Sequence, residues 1–487
     1  MELAYLSCLE LGKLVRNKRV SPVEVIDYFE KRVAERNPSI NAFVYTKFDE
    51  ARKEAQKLES RIMAGEGVGA FAGVPVGLKD FLPSKKGWTA SHGGVKSLIT
   101  VDDEDSMFYK AAKRMGAIAI GKTNAPAFGF RGTCDNKLYG ATSTPFNVEY
   151  NSGGSSGGTA AAVADGLIPI GEGGDAGGSI RIPAAWCGCF GFKPSAGVVP
   201  SVCRPDAWSA THPYCCGGPI TRTVEDAAYI LTHMAGYDLR DPISVQMSPA
   251  WYQALRSSAS RIRALRIGVT TNFDLFPEPD HPIDSRLWIA AETLRQMGAT
   301  VEPVHFNFKH SLEEIEAAWL RGICIDTAVD MELWKREGFE IDHDDLPENF
   351  WYWNQVALES SMMDYRKFHE VRTGILDAHL DVFDKYDVII SPTTGCMPVR
   401  NDPHQLTQGP TSIGGVPVDP LIGFSYTYLE NMCGNPAASV PIGIDDNMLP
   451  IGMQIVGKRY HDPDVFTVAR AIEVAQPWNY LIPKSRM

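Results

Sequence analysis

Positive charge is in short supply in this 487-residue sequence, where 47 lysines and arginines stand against 59 aspartates and glutamates and the net charge is −12. A protein that covers nucleic acid or an anionic membrane needs a basic surface, so the composition excludes a broad surface of that kind. The composition favours a small-molecule or peptide-like substrate, with no nucleic-acid partner.

Long apolar runs are also missing, since no stretch approaches the roughly 18 residues that a membrane-spanning helix needs. The first twenty residues, MELAYLSCLELGKLVRNKRV, mix acidic and basic side chains with apolar ones, unlike a secretory or transit segment. We therefore expect a cytoplasmic protein with no membrane partner.

Paired cysteine spacing is absent as well. The ten cysteines are scattered along the chain without a C-x-x-C framework, which predicts reduced, packed thiols. Cys187 with Cys189, and Cys215 with Cys216, have the wrong spacing for a zinc knuckle, and only His212 lies near them in sequence. We therefore predict no metal site.

Helical and strand patterns alternate along the chain. SPVEVIDYFEKRVAERNP predicts a helix capped by Ser21 that stops before Pro38, and DSMFYKAAKRMG predicts another. GVPVGLKDF, AIAIG, DVIISPTT and PIGMQIVG predict strands, and two long helical stretches are expected between Ser311 and Asp384. The alternation predicts an α/β protein with a large mixed sheet, and no repeat or linker interrupts it.

Two catalytic patterns match parts of the chain without their usual context. Residues 116–123, GAIAIGKT, satisfy the phosphate-loop pattern, but a strand-like apolar run lies between the glycines and Pro126 follows, so we interpret the match as chance. GGSSG at 153–157 fits the nucleophile elbow of α/β-hydrolases with Ser155 as nucleophile, although no buried strand is predicted before it. An esterase that uses Ser155 stays open as an alternative.

A third interpretation combines the glycine-rich stretch with an upstream lysine. Ten of the 26 residues from Gly153 to Gly178 are glycine, and the amides of GDAGGS can turn towards an anion. A serine hydroxyl needs a base, and Lys79 in GLKDF can serve if burial keeps it neutral. A second serine between them could pass the proton on.

These segments resemble the amidase signature family. The resemblance rests on GVPVGLKDF, GKTNAPAFGF, the stretch from GATSTPFNVEY to FGFKPSAG, and NPAASVPIG with PIGMQIVG. It implies one domain over residues 1–487, with a central mixed sheet flanked by helices on both faces. Its signature core would span about 70–235 and a variable substrate-pocket region about 300–435.

The resemblance also implies site residues. Ser179 would be the nucleophile, Ser155 a serine that follows a cis peptide bond, and Lys79 the base. The amides of Ala176, Gly177, Gly178 and Ser179 would form the oxyanion hole. Asp175 and Arg181 would brace the loop, and Gly174 departs from the Thr or Ser that the family often has there.

The implied activity is hydrolysis of a carboxylic amide through an acyl-serine intermediate, without a cofactor. Gly129 and Phe130 would lie near the acyl channel, and Cys324 resembles a pocket cysteine of the cyclic-oligoamide hydrolases, although core packing explains Phe130 and Cys324 equally simply. The Trp- and Met-rich stretch at 310–440 favours a bulky apolar, aryl or oligoamide substrate. A glutamine amidotransferase of the A type is the alternative within the family, and a homodimer is allowed for.

Overall fold

An eleven-stranded mixed β-sheet forms the core of the structure, a computed structural model that describes residues 2–81, 83–247 and 249–478. In those ranges the strands are β1 Phe43–Thr46, β2 Pro75–Lys79, β3 Thr89–Ala90, β4 Thr100–Val101, β5 Ile118–Thr123, β6 Ile170–Asp175, β7 Phe190–Lys193, β8 Cys216–Thr221, β9 Arg266–Val269, β10 Thr300–Pro303, β11 Val388–Pro392, β12 Ser412–Ile413, β13 Val416–Pro417, β14 Ala437–Ile444 and β15 Pro450–Gly457. The sheet order is β1-β5-β2-β6-β8-β7-β14-β15-β11-β9-β10, and β3 with β4 and β12 with β13 form two small separate hairpins.

Helices cover both faces of this sheet, which confirms the predicted α/β class. The described residues form α1 Cys8–Arg16, α2 Pro22–Ile40, α3 Phe48–Met63, α4 Met107–Arg114, α5 Gly157–Ala164, α6 Arg181–Cys187, α7 Val224–Met234, α8 Trp251–Arg261, α9 His281–Gln296, α10 Leu312–Arg336, α11 Glu348–Leu358, α12 Met362–Phe383, α13 Leu429–Cys433 and α14 Asp462–Ala475. None of these helices combines the length and apolar character that a membrane crossing requires. The subdivision into a signature core and a pocket region stays a prediction.

Helix α2 continues past the predicted stop at Pro38 and ends at Ile40. The prediction was wrong because a proline in the last turn removes only one helical hydrogen bond there. The helix end is held instead by Asn37, whose side-chain oxygen accepts from the amides of Ala42 (2.9 Å) and Phe43 (2.7 Å). Asn41 then reverses the chain in the left-handed conformation.

Three helices, rather than the two predicted, occupy the segment between Ser311 and Asp384. The first break follows Gly338, which has φ +95° at the end of α10. The second break lies at Ser361, which forms a capping box with Asp364 at the start of α12. Two helices already imply one break, so the amphipathic pattern alone missed one of the two.

Strand pairing explains why distant parts of the sequence meet. Strands β2 and β6 are parallel neighbours, with Val76 opposite Ile170 and Gly77 opposite Gly171. Parallel strands have their carboxyl ends on the same side of a sheet, and ligands of α/β proteins bind just beyond those ends. Lys79 at the end of β2 and Asp175 at the end of β6 therefore lie on the same side of the sheet.

Candidate active site

Lys79 is buried at the end of β2, with 5% of its surface exposed. Its Nζ lies 2.6 Å from the Ser155 hydroxyl oxygen and 5.3 Å from the centre of the Phe81 ring. Burial lowers the pKa of Lys79 to about 8, against smaller opposing effects of Cys215, Cys134, Asp175 and Glu172. A lysine in this environment is partly neutral near neutral pH and can accept a proton.

Two acidic residues flank Lys79 in different ways. Asp80 points away, as strand alternation predicts, and accepts hydrogen bonds from the Ser91 amide (3.1 Å) and hydroxyl. Glu172 was not foreseen; its carboxylate accepts from the Lys79 backbone amide at 3.3 Å, and burial raises its pKa to about 7. Nζ itself is hydrogen-bonded to a hydroxyl, which suits a base that must lose its charge.

Ser155 lies in a loop between β5 and α5, and the Gly154–Ser155 peptide bond is cis, as the resemblance implied. Gly154 fits because a Cβ there would lie 2.5 Å from the Thr133 carbonyl oxygen. The elbow interpretation is wrong on its structural requirement, since in the described structure the chain before Ser155 makes only isolated bridges and no strand. The Ser155 hydroxyl is hydrogen-bonded to Lys79 Nζ. Its position between Lys79 and the loop that carries Ser179 fits a proton relay.

Ser179 follows β6 in the loop that leads into α6, and it is half-buried. The Ser156 amide donates to the Ser179 carbonyl oxygen at 3.0 Å, which ties the two serine segments together. Among residues 2–81, 83–247 and 249–478, the Ser179 hydroxyl has no hydrogen-bond partner. The structure thus joins Lys79 to Ser155 directly and brings Ser179 near through the backbone, without a direct bond between the two serine hydroxyls.

The loop amides differ in their availability. The Gly178 amide donates to the Asp175 carboxylate at 2.8 Å, so the prediction that Gly178 supplies a free oxyanion donor is wrong in this structure. The amides of Ala176, Gly177 and Ser179 have no backbone or side-chain acceptor in the described part of the chain. Unpaired amides beside a half-buried serine form a nest that can hold an oxyanion.

Asp175 and Arg181 brace this loop, as predicted. Both side chains are fully buried, and Arg181 Nε and Nη2 donate to the two carboxylate oxygens at 3.0 and 2.9 Å. Burial alone would raise the pKa of Asp175, but the charge and hydrogen bonds of Arg181 outweigh burial and lower it to about 2. The pair is therefore charged throughout the working pH range.

Three side chains that sequence reasoning missed hold the same loop from outside. Trp319 Nε1 donates to the Ala176 carbonyl oxygen (3.1 Å), Thr427 Oγ1 donates to Gly177 (2.6 Å), and Asn431 Nδ2 donates to Asp175 (2.8 Å). Thr427 and Asn431 are four residues apart around the start of α13, just before the NPAASVPIG segment. The four-residue spacing places Thr427 and Asn431 on one side of a helical turn, next to a segment that resembles the family, and this was the one sequence feature that could have indicated the two residues.

The predicted pocket residues divide into two groups. Gly129 lies against the site, since a Cβ there would be 3.2 Å from the Ser155 hydroxyl oxygen. Phe130 and Cys324 belong to a buried apolar cluster, in which the Phe130 ring meets Phe350 edge-on at 5.2 Å. Burial raises the pKa of the Cys324 thiol, which leaves it neutral. Core packing accounts for Cys324, and its pocket role stays a prediction.

The remaining sequence matches have structural explanations. The phosphate-loop match forms strand β5, and Lys122 is buried with its Nζ 2.7 Å from Asp102, so it cannot reach a phosphate. Cys187 and Cys189 are buried thiols whose sulfurs contact backbone carbonyls at 3.4 to 3.7 Å. In the part of the chain that the structure describes, none of the ten cysteines forms a disulfide.

Comparison with known proteins agrees with this geometry. A sequence model of the amidase family matches residues 24–466. The structure of a bacterial aryl acylamidase of the amidase signature family superposes with a TM-score of 0.94 at 40% identity, over 98% of this chain and 97% of that one. A 6-aminohexanoate cyclic dimer hydrolase in complex with its substrate gives a TM-score of 0.85 at 26% identity, over 99% of each chain.

A relative with another activity is similarly close. The A-type subunit of the glutamyl-tRNA(Gln) amidotransferase of Geobacillus stearothermophilus is 34% identical over 501 residues, which cover 97% of this chain and 98% of that protein. The full-length matches leave no large part of either chain without a counterpart.

Replacement of Gly178 by alanine should disable the loop. A Cβ at Gly178 would lie 2.0 Å from Thr427 Oγ1, and its φ of +127° disfavours a side chain. We expect labelling of Ser179 by a fluorophosphonate probe to slow by about 100-fold or more, the effect of losing an oxyanion donor. Gly174→Ala is the control, because a Cβ there meets no atom within 4 Å. Equal labelling rates in both variants would contradict this view of the loop.

Proposed function

This chain belongs to the amidase family and hydrolyses amides, and we propose that it does so through an acyl intermediate on Ser179, with aryl amides as its substrates. The observation that carries the proposal is the buried Lys79, hydrogen-bonded to Ser155 at 2.6 Å beside the Ser179 loop. A lysine whose pKa is lowered to about 8 can act as a base, as amide hydrolysis by a serine requires.

In the proposed reaction, the proton of Ser179 passes to Ser155 as Ser155 gives its own proton to neutral Lys79. The Ser179 oxygen attacks the amide carbon, and the carbonyl oxygen becomes an oxyanion. Ser155 then protonates the amide nitrogen and recovers a proton from Lys79, so the C–N bond breaks and the amine leaves. Water attacks the acyl-serine by the same proton route and releases the acid.

The oxyanion is proposed to lie against the amides of Ala176, Gly177 and Ser179. A fixed donor of this kind contributes about 100- to 1,000-fold to the rate when it points at the developing charge. Trp319 donates to the Ala176 carbonyl oxygen and Asn431 to the Asp175 carbonyl oxygen, and these bonds orient the peptide planes that carry the Gly177 and Ala176 N–H groups. The donors are therefore in place before the substrate arrives.

The aryl preference is supported by the cluster beside the site. Phe128 stacks on Trp334 at 5.2 Å, and Phe128 and Phe130 both contact Phe350. Gly129 lies between Phe128 and Phe130 in sequence and packs close to the Ser155 hydroxyl. The aromatic cluster therefore adjoins the position proposed for the acyl or aryl group of the substrate. The similarity to an aryl acylamidase favours anilides, and the similarity to a cyclic dimer hydrolase keeps oligoamides in the tested range.

A second candidate, glutamine hydrolysis for an amidotransferase, rests on the 34% identity to the Geobacillus stearothermophilus protein. Glutamine needs charged partners for its carboxylate and ammonium groups. Two arginines near the loop are already paired, Arg131 with Asp135 at 2.8 Å and Arg181 with Asp175 at 2.9 Å. This pairing favours the aryl amide.

We further propose a cytoplasmic location, since ten cysteines that form no disulfide suit a reducing compartment. A homodimer stays an expectation.

Hydrolysis rates over a panel of amides test the proposed function. The panel contains anilides, fatty amides, amino-acid amides, cyclic lactam oligomers and glutamine. We expect the highest kcat/KM for anilides and loss of all turnover in Ser179→Ala, because the acyl acceptor is removed. Hydrolysis of glutamine alone would favour the amidotransferase, and undiminished turnover by Ser179→Ala would overturn the acyl-serine route.

The pH dependence tests Lys79 as the base. Because Lys79 must be neutral to accept a proton, kcat/KM should rise with pH through about 8 and level off above it. Lys79→Arg keeps the charge but cannot lose its proton, so we expect a fall of about 100- to 10,000-fold, and Lys79→Ala should match it. Wild-type rates in Lys79→Arg, or a plateau already reached at pH 6, would contradict this assignment.

A further inference from the structure

Two polar atoms near the catalytic loop are closed off from solvent and lack hydrogen-bond partners in the described residues. They are Glu316 Oε1 and the Tyr428 hydroxyl. Tyr428 is fully buried, with 0% of its surface exposed. Buried polar groups are nearly always paired, and an unpaired one destabilises the fold, so such a group needs an explanation.

Both residues are tied to the catalytic loop. Glu316 lies one turn before Trp319 on α10, and Trp319 Nε1 donates to the Ala176 carbonyl oxygen. Tyr428 directly follows Thr427, whose hydroxyl donates to the Gly177 carbonyl oxygen. The Trp319 and Tyr428 rings are 6.1 Å apart. The two residues that carry the unpaired atoms therefore adjoin the side chains that hold the catalytic loop.

The electrostatics around Glu316 are one-sided. Burial, together with the charges of Asp419 and Glu313, raises the pKa of Glu316 to about 8. Burial raises the pKa of the Tyr428 hydroxyl, and the charges of Glu316, Tyr426 and Asp419 act in the same direction. Asp419 itself accepts from the Leu421 amide at 2.7 Å. The charged groups that affect Glu316 are thus the acidic residues Asp419 and Glu313, and no cation pairs with Glu316 in the described residues.

We propose that Glu316 and Tyr428 form a subsite for an amino group of the substrate, at a position remote from the amide that is cleaved. Once Glu316 has lost its proton it only accepts hydrogen bonds, so a partner that binds the ionised form must be a donor, and the neighbouring acidic groups favour a positively charged one. A primary ammonium on an alkyl or benzyl arm meets both conditions. This inference rests on the proposed function and narrows its substrates to amides that carry a free amine.

Matched substrates test the subsite. One series consists of anilides of ω-amino acids with two to eight carbons, each paired with the anilide that ends in methyl instead of ammonium. A second pair, 4-(aminomethyl)acetanilide and 4-ethylacetanilide, places the amine on the leaving group. We expect the best amine to exceed its methyl partner in kcat/KM by about tenfold or more, the range of a charge-assisted hydrogen bond.

Variants separate this preference from general effects on the enzyme. Glu316→Gln should abolish the preference for the amine, because it removes the charge at nearly constant volume. Glu332→Gln is the matched control, since Glu332 is exposed at the other end of the same helix, and its preference should equal that of the wild type. No preference in the wild type for either arm, or the same preference in Glu316→Gln, would overturn the proposal.

Calorimetry keeps the test independent of turnover. In Ser179→Ala protein at pH 7, Glu316 is largely protonated, and a bound ammonium should lower its pKa and release a proton. Binding of 6-aminohexananilide, measured in buffers of different ionisation enthalpy, should therefore release up to one proton. The protein with both Ser179→Ala and Glu316→Gln should release none. If the wild type cleaves no anilide but the proton is released, the proposed function fails and the subsite stands; cleavage without release or amine preference refutes the subsite alone.

Discussion

The buried ion pair between Asp175 and Arg181 is the interaction on which the site depends. The Asp175 carboxylate also accepts from the Gly178 and Ile180 amides, and this fixes the turn that carries Ser179. Arg181 extends the network to Asn431 (2.6 Å) and Gln454 (2.6 Å), so helix α6 is joined to α13 and β15. Loss of one partner from a buried pair costs about 3–5 kcal/mol, because the other charge stays buried. The loop that carries Ser179 is thus held by a contact that is costly to break.

The neighbouring strands β2 and β5 carry two buried lysines, Lys79 and Lys122, whose charges are compensated differently. Lys122 is as deeply buried as Arg181 and has Asp102 at 2.7 Å, which satisfies its charge. Lys79 has a hydroxyl at Nζ, and the Glu172 carboxylate accepts from its backbone amide instead. Burial without a direct counter-ion disfavours the charged form. Two lysines on neighbouring strands therefore have different roles, one in the structure and one in the proposed chemistry.

The sequence was most informative where function constrains a local pattern. Lys79, Ser155 and Ser179 lie in short glycine-rich segments whose spacing is visible without a structure, and the alternation of elements predicted the α/β class. Contacts across long separations left no such trace: Trp319 and Thr427 lie 143 and 250 residues from the carbonyl groups they bond. The engagement of the Gly178 amide by Asp175 depends on backbone angles, which a glycine leaves open. Likewise, α2 ends at Ile40 rather than before Pro38, and the Asn37 side chain accepts from the amides that follow the helix.

Trapping of the acyl-enzyme tests the central claim most directly. The wild-type protein would be mixed with a nitroanilide, quenched in acid within one turnover, digested, and its peptides mapped by mass spectrometry. We predict that the acyl group is found on the peptide containing Ser179, at the hydroxyl of that residue. An acyl group on Ser155, or steady turnover with no covalent adduct under any quench time, would contradict it.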